Sequence, residues 1–193
     1  MQDRILDQFR QTGADLLRLG LTTSHGGNMS IRHQGKIIVT VHFAMLGRLE
    51  PGNLIEVPVH ENPDHITSDA SKDVALHQLI YRFTPAGAVI HAHPAYAIAM
   101  SLTNDMIAPR DLEGALFLRE IPVVATAEAS VRIPQLLQTH VAVIVRGHGS
   151  SAVGRTLNEA LASTSDLGFS CKGAYLAHMP SPTRPTTLAA NNP

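Results

Sequence analysis

The segment Ala88-Val89-Ile90-His91-Ala92-His93-Pro94 joins a short apolar run to two histidines that stand two residues apart. The apolar run predicts a buried β-strand. Side chains on a strand alternate between its two faces, so His91 and His93 are expected to point the same way, with their α-carbons roughly 6.5 to 7 Å apart. Two imidazoles placed in this way can share one metal ion.

A pair of this kind is weak evidence by itself. The chain has 11 histidines among 193 residues, and a random sequence of that composition would contain about 0.6 such pairs. The metal hypothesis therefore depends on a third ligand elsewhere in the chain.

His148 is the candidate for that third ligand. An apolar run over residues 141–145 leads directly into Arg146-Gly147-His148-Gly149, which places His148 just beyond a second predicted strand. Three imidazoles would hold a zinc ion and leave one position open for a substrate. An isolated histidine in a glycine turn is more often an ordinary loop residue, but together with His91 and His93 the metal site is the better interpretation.

Composition limits the kinds of partner. The formal charge is −1, and the 15 Lys and Arg residues are scattered along the chain, so neither a nucleic acid nor a membrane surface is expected as a partner. The single cysteine, Cys171, excludes an intrachain disulfide and a Cys-rich zinc site,. No apolar run approaches the length of a membrane span, and a cytoplasmic location is the expectation.

The pattern of apolar residues mixes helices and strands. It predicts a first helix over residues 3–19, a hairpin formed by residues 29–32 and 36–41, a loop over residues 58–68, and a helix that stops before Pro85,. In the second half it predicts strands at residues 121–125 and 141–145, with a helix between them that Pro134 limits,. A capping box, Thr156-x-x-Glu159, opens a long last helix,. The helix before Pro85 carries a polar face, because Asp73, His77 and Tyr81 recur every four residues. We predict a single domain over residues 1–179, followed by a tail at residues 180–193 that is flexible or contacts a neighbouring subunit.

The chain resembles the class II aldolase and adducin-head family, which includes fuculose-1-phosphate aldolase-like enzymes. The resemblance covers roughly residues 4–175 and rests on the following motifs in order: Gly26-Gly27-Asn28-Met29-Ser30; Ser71-Lys72-Asp73-(x)₃-His77-(x)₃-Tyr81-(x)₃-Pro85; His91-Ala92-His93; and His148-Gly149. It implies a three-layer α/β/α fold with a central, mainly antiparallel sheet. It also implies a homotetramer with active sites at the subunit interfaces.

The resemblance further implies that His91, His93 and His148 bind Zn²⁺, or another divalent transition metal, and that Asp73 is the catalytic carboxylate beside it. A divalent cation can stabilise the enediolate through which aldol cleavage of a hydroxyketone must pass, while Asp73 moves the proton. The aldolases of the family usually carry Glu at this position, whereas this chain carries the shorter Asp, so direct coordination of the metal by Asp73 is the alternative. His77 is either a residue that orients Asp73 or a buried, hydrogen-bonded helix histidine.

The resemblance also implies that Gly27, Asn28 and Ser71 bind a substrate anion, to which Lys72 could supply a compensating charge. Gly27 and Asn28 could equally be only the lead-in to the hairpin, and Lys72 a surface lysine. The middle turn of the family's phosphate pocket is replaced here by His42-Phe43, and its second serine by Lys72. His25 and His42 are further candidates for lining the pocket.

The leading functional hypothesis is a zinc-dependent aldolase that cleaves a small anionic hydroxyketone, with a sugar phosphate as the first candidate substrate. A sugar-phosphate 4-epimerase, a decarboxylase or a dehydratase would use the same metal site. A non-catalytic, adducin-like assembly domain is the alternative from another class, and the presence of all three histidines argues against it.

Overall fold

The computed structural model describes residues 2–60 and 73–177. Its helices and strands follow in the order α1 (Gln2–Arg18), β1 (Asn28–His33), β2 (Lys36–Thr40), β3 (Leu54–Pro58), α2 (Val74–Phe83), β4 (Ala88–Ala92), α3 (Ala95–Ser101), β5 (Met106–Ile107), α4 (Leu112–Phe117), β6 (Ile121–Val124), α5 (Ala129–Leu136), β7 (Ala142–Val145), β8 (Gly149–Gly154) and α6 (Leu157–Ala177). The predicted tail at residues 180–193, and Ser71 and Lys72, lie outside the described residues. The division into a domain at residues 1–179 and a tail stays a prediction.

The eight strands form one sheet in the order β3-β2-β1-β4-β8-β7-β6-β5. Neighbouring strands are antiparallel except for β6 and β7, which run parallel. The predicted mainly antiparallel sheet is therefore confirmed. Strand β4 lies near the centre of the sheet, between β1 and β8.

Helices cover both faces of this sheet. Ile90 of β4 packs with Phe9 of α1 and Ala160 of α6 on one face, whereas Val89 packs with Ile80 of α2 and Ile133 of α5 on the other. Adjacent residues of one strand enter opposite cores because side chains alternate along a strand. The three-layer α/β/α architecture that the resemblance implied is confirmed.

Most predicted elements occur close to their expected positions, and the structure also contains elements that the sequence pattern did not predict. The first helix, the hairpin, the helix before Pro85 and the two apolar strands are present, and α5 accommodates Pro134. Of the predicted loop at residues 58–68, Pro58 instead ends β3, and residues 61–68 lie outside the described residues. The short helices α3 and α4 and the strands β3, β5 and β8 had no prediction.

The cap of the last helix differs in one detail from the predicted capping box. The Thr156 hydroxyl accepts a hydrogen bond from the Glu159 N–H at 3.2 Å, as expected. The Glu159 carboxylate accepts from the N–H of Arg155, not from that of Thr156, at 2.9 Å. The box therefore closes one residue earlier than the pattern predicted.

In the part of the chain that the structure describes, we find no helix that is both long and apolar enough to cross a bilayer.

Candidate metal centre and active site

His91 lies within β4 and is held from two sides. Its backbone is paired with Asn28 of β1 and Ser151 of β8. Its ring Nδ1 lies 2.9 Å from the carbonyl oxygen of Ser150, which can only accept a hydrogen bond. Nδ1 is therefore the protonated nitrogen, and the lone pair of His91 is on Nε2.

His93 follows the last residue of β4. Its backbone N–H donates to the carbonyl of Leu21 at 2.8 Å, which anchors the chain beyond the strand end. Its Nε2 lies 2.9 Å from Nε2 of His91. The two rings therefore turn toward a common point, as the spacing of the pair predicted.

His148 reaches the same point from the turn that joins β7 to β8. Gly147 allows this turn with a φ of 69°. The ring of His148 stacks on that of His91, with centroids 5.1 Å apart and an interplanar angle of 16°. The structure thus brings together the three predicted metal ligands, whose ligand nitrogens all lie within 4.8 Å of one another.

The donor set fits a divalent metal. Nitrogens that bind one zinc ion tetrahedrally at about 2.0–2.1 Å lie roughly 3.3–3.4 Å apart, which falls between the 2.9 Å that separates the Nε2 atoms of His91 and His93 and the 4.8 Å limit for the three residues. Burial lowers the pKa of His91 to about 4 and also lowers the pKa of His93. Both rings are therefore neutral near pH 7, which is the form that donates a lone pair to a metal.

Asp73 precedes α2 and faces the same cleft. One of its carboxylate oxygens accepts a hydrogen bond of 2.6 Å from the side-chain amide of Asn28. Burial alone would raise the pKa of Asp73, but nearby His91 and the Asn28 hydrogen bond outweigh this effect and hold the pKa below its usual value. The carboxylate form, which can accept a proton, is therefore favoured.

The cleft that contains these groups has a volume of about 250 Å³. It is lined by His25, Gly26, Gly27, Asn28, Val41, His42, Phe43, Asp73, His91, His93 and His148. Gly27 and Asn28, predicted to bind substrate, lie here, as do His25 and His42. Ser71 and Lys72, predicted beside them, lie outside the described residues.

Gly27 has a packing role as well. A β-carbon on Gly27 would lie 2.6 Å from the His91 carbonyl oxygen, and the residue has a φ of 77°. Only glycine allows the loop to pass this close to β4. Gly27 therefore has a packing reason to be glycine, and its contact with a substrate stays a prediction.

Phe43 occupies an unusual backbone conformation at the edge of the cleft. Its φ is 58°, in the left-handed region that favours glycine, and its side chain is 70% exposed. The ring lies against His42, with centroids 4.0 Å apart. An aromatic ring therefore borders the cleft at the turn where the sequence departs from the family pattern.

Two contributors to the site were not predicted. The Ser150 carbonyl that orients His91 is a backbone group, so no side-chain pattern could reveal it. Ser30 contacts the polar face of α2 from β1. Ser30 belongs to the Gly26-Gly27-Asn28-Met29-Ser30 motif, but the sequence does not show which residues of α2 it contacts.

The sequence profile described as Class II Aldolase and Adducin N-terminal domain matches residues 7–175. The chain belongs to this family. Among solved structures, the L-fuculose-1-phosphate aldolase from Thermus thermophilus superimposes with a TM-score of 0.84 and 35% identity, covering 93% of this chain and 100% of that one.

Two curated relatives carry different activities in their names. The L-fuculose phosphate aldolase of Methanocaldococcus jannaschii is 29% identical over 70% of this chain and 76% of its own length. The methylthioribulose-1-phosphate dehydratase of Acidiphilium cryptum is 32% identical over 63% of this chain and 58% of its own length. Membership of the class II aldolase family therefore does not fix the reaction.

Proposed function

We propose that this protein is a zinc-dependent class II aldolase that reversibly cleaves a small anionic hydroxyketone, preferably a sugar phosphate. The observation that carries the proposal is the convergence of three imidazoles with one carboxylate in a single cleft. This set combines a site for a Lewis acid with a group that can move a proton. Those are the two components that aldol cleavage requires.

His91, His93 and His148 would hold the metal through their ring nitrogens. When bound, the metal supplies positive charge that polarises the substrate carbonyl and stabilises negative charge on substrate oxygens. His91 is fixed for this role by the hydrogen bond to the Ser150 carbonyl. Such a partner sets the tautomer and orientation of a ligand histidine.

Asp73 would take the proton of the substrate hydroxyl as the carbon–carbon bond breaks, and would return it to the carbon of the fragment that keeps the electron pair. Two observations support this role over metal coordination. The cluster within 4.8 Å consists of the three histidines without Asp73, and Asn28 already binds an Asp73 carboxylate oxygen. The lowered pKa keeps Asp73 ionised near pH 7, and the ionised carboxylate is the form that accepts a proton.

Asn28, which donates a hydrogen bond to Asp73, is also placed to contact the substrate. Its side-chain Oδ1 is buried and has no hydrogen-bond partner among the described residues. A substrate hydroxyl could donate to it.

We propose that Gly27, Asn28, Ser71 and Lys72 together bind the anionic end of the substrate. We also propose that the chain forms a homotetramer in which a second subunit completes the pocket. A cytoplasmic location stays a prediction.

Dehydration of a related sugar phosphate is the second candidate. The similarity to the Acidiphilium cryptum dehydratase favours it, and loss of water next to a carbonyl could use the same Lewis acid and proton-transfer group. An adducin-like assembly role is less compatible with a complete set of three histidines and a partly buried Asn28–Asp73 pair.

The test is to incubate the zinc-loaded protein with L-fuculose 1-phosphate and, separately, with methylthioribulose 1-phosphate. The aldolase proposal predicts release of two carbonyl fragments from the first substrate. It also predicts that Asp73→Asn retains its metal while kcat falls by at least about 100-fold, the usual contribution of a general acid–base group.

The control is a His60→Ala variant, since His60 is an exposed histidine outside the cleft; it should retain full activity. Water loss from the second substrate without fragments from the first would favour the dehydratase. Metal-loaded protein that acts on neither, or an Asp73→Asn variant with unchanged kcat, would contradict the proposed mechanism.

A further inference from the structure

One face of β1 lies along helix α2 through polar contacts. Asn28 and Ser30 point to the same side of the strand, as does Arg32, because side chains two residues apart share a face. Asn28 contacts Asp73 at the start of the helix. Ser30 contacts the middle of the helix, and the Arg32 guanidinium donates to the Tyr81 and Thr84 carbonyls at its end. We call these three sets of contacts the β1–α2 seam.

The spacing of these contacts along β1 matches their spacing along α2. The strand advances roughly 13 Å from Asn28 to Arg32, and the helix advances about 12 Å from Asp73 to Tyr81. Each second residue of the strand therefore meets about one turn of the helix. The periodic polar face that the sequence places on α2 has its partner here.

Ser30 is the centre of the seam. Its hydroxyl lies 2.6 Å from Nδ1 of His77 and 2.8 Å from the Tyr81 hydroxyl. Ser30 is 0% exposed, and His77 and Tyr81 are 1% and 2% exposed. The three groups can be linked in either direction: Tyr81 donates to Ser30 and Ser30 to His77, or, when His77 carries its proton on Nδ1, His77 donates to Ser30 and Ser30 to Tyr81,. The Ser30 hydroxyl is thus a buried link between one strand and two turns of the helix.

Both elements that Ser30 joins, β1 and α2, are also connected to Asp73, the proposed catalytic carboxylate. His77 follows Asp73 by one helical turn, and its backbone N–H donates to the Asp73 carbonyl at 2.9 Å. Ser30 follows Asn28 by two residues on the strand that holds the Asp73 side chain. A shift of α2 along β1 would therefore change the distance between Asn28 and Asp73.

We propose that Ser30 is a positioning residue for the reaction: through His77 and Tyr81 it fixes the rise and rotation of α2 on β1, and so places Asp73 beside the three histidines. The inference rests on the proposed role of Asp73. It predicts that loss of the Ser30 hydroxyl impairs the chemical step more than it impairs metal or substrate binding.

The test compares kcat, KM and bound metal for three variants of the full chain. Ser30→Ala removes the link and is expected to lower kcat by about 10- to 100-fold, the scale of a misplaced catalytic group. KM and the metal content should stay near those of the parent protein. Tyr81→Phe removes one of the two hydrogen bonds and is expected to lower kcat by about three- to tenfold; it also serves if Ser30→Ala does not fold.

Thr164→Val is the matched control. Thr164 is equally buried, and its hydroxyl donates to the Ala160 carbonyl within α6, away from the seam. Its loss removes a buried hydroxyl of the same kind, so it reports the effect of lowered stability alone. We expect its kcat to equal that of the parent.

Combining variants separates positioning from a merely structural role. If Ser30 acts through Asp73, then Ser30→Ala should lower kcat in the parent but have no further effect in an Asp73→Asn background. An equal loss of kcat in both backgrounds, or an unchanged kcat in Ser30→Ala and Tyr81→Phe, would overturn the proposal.

A second readout does not depend on catalysis. The side-chain amide protons of Asn28 report its hydrogen bond to Asp73 in an NMR spectrum of the metal-free protein. In Ser30→Ala their signals should move toward those of a free amide, whereas in Thr164→Val they should not move. Unmoved Asn28 signals in Ser30→Ala would overturn the positioning role. If these signals move but the parent cleaves no hydroxyketone, then the proposed function fails and the seam does not.

Discussion

The geometry of the candidate metal centre depends on single atoms around His91 and His93. A β-carbon on Gly149 would lie 2.5 Å from the Ala92 carbonyl oxygen, 2.5 Å from Cδ2 of His93 and 3.1 Å from Cε1 of His91. The two imidazoles therefore occupy the space that any other side chain would need. Gly149 is required at this position because the rings of His91 and His93 leave no space for a β-carbon.

We predict that Gly149→Ala weakens metal binding by about 10- to 100-fold, the range found when groups that orient metal ligands are changed. The added methyl group must displace one or both rings from their common point. Titration of the metal-free protein with zinc, followed by calorimetry, measures the change in Kd.

Gly173→Ala is the control for this prediction. A β-carbon on Gly173, which lies in α6, would meet no atom within 4 Å. The substitution should leave the zinc Kd unchanged and should raise the free energy of unfolding by up to about 1 kcal/mol, because alanine favours a helix more than glycine does. An unchanged Kd in Gly149→Ala would mean that the rings are not held as the structure indicates.

Among the helices and strands, α2 and β8 show how far sequence could predict this site. The four-residue recurrence of Asp73, His77 and Tyr81 predicted a polar helix face. It could not identify Asn28 and Ser30 as partners, because a contact between a strand and a helix depends on the fold of the whole sheet.

Strand β8 was missed for a different physical reason. Its residues Gly149–Gly154 read Gly-Ser-Ser-Ala-Val-Gly and lack an apolar run. They form a strand because their backbone pairs with both β4 and β7. The same pairing brings the Ser150 carbonyl to His91, so the sequence identified the three imidazoles but not the group that orients one of them.

At the scale of the whole molecule, His77 and His91 are buried between the central sheet and its helices. Burial lowers the pKa values of His77 and His91 to about 4, compared with an ordinary value of 6.5. Both side chains are neutral in the folded protein over a pH range in which the unfolded chain binds protons. Folding stability is therefore linked to pH through these two residues.

We predict that the metal-free protein loses stability as the pH falls from 6.5 toward 4. In this window the unfolded state binds more protons than the folded state, so the contribution of each histidine is complete above pH 6.5 and lost as the pH falls. The loss is on the order of 2 kcal/mol for each group by pH 5. Urea unfolding with a chelator at pH 7.5, 6.0 and 5.0 measures it.

A free energy of unfolding that stays constant between pH 6.5 and 5 would show that neither buried histidine resists protonation.

The most direct test of the account is the amount of divalent metal that the chain binds. We predict about one zinc ion per chain after loading and dialysis, measured by mass spectrometry of the elements. His148→Ala should lose this metal while keeping its circular dichroism spectrum, and His60→Ala should retain it. A parent chain that binds no divalent metal, or a His148→Ala variant that binds as much as the parent, would contradict the central claim.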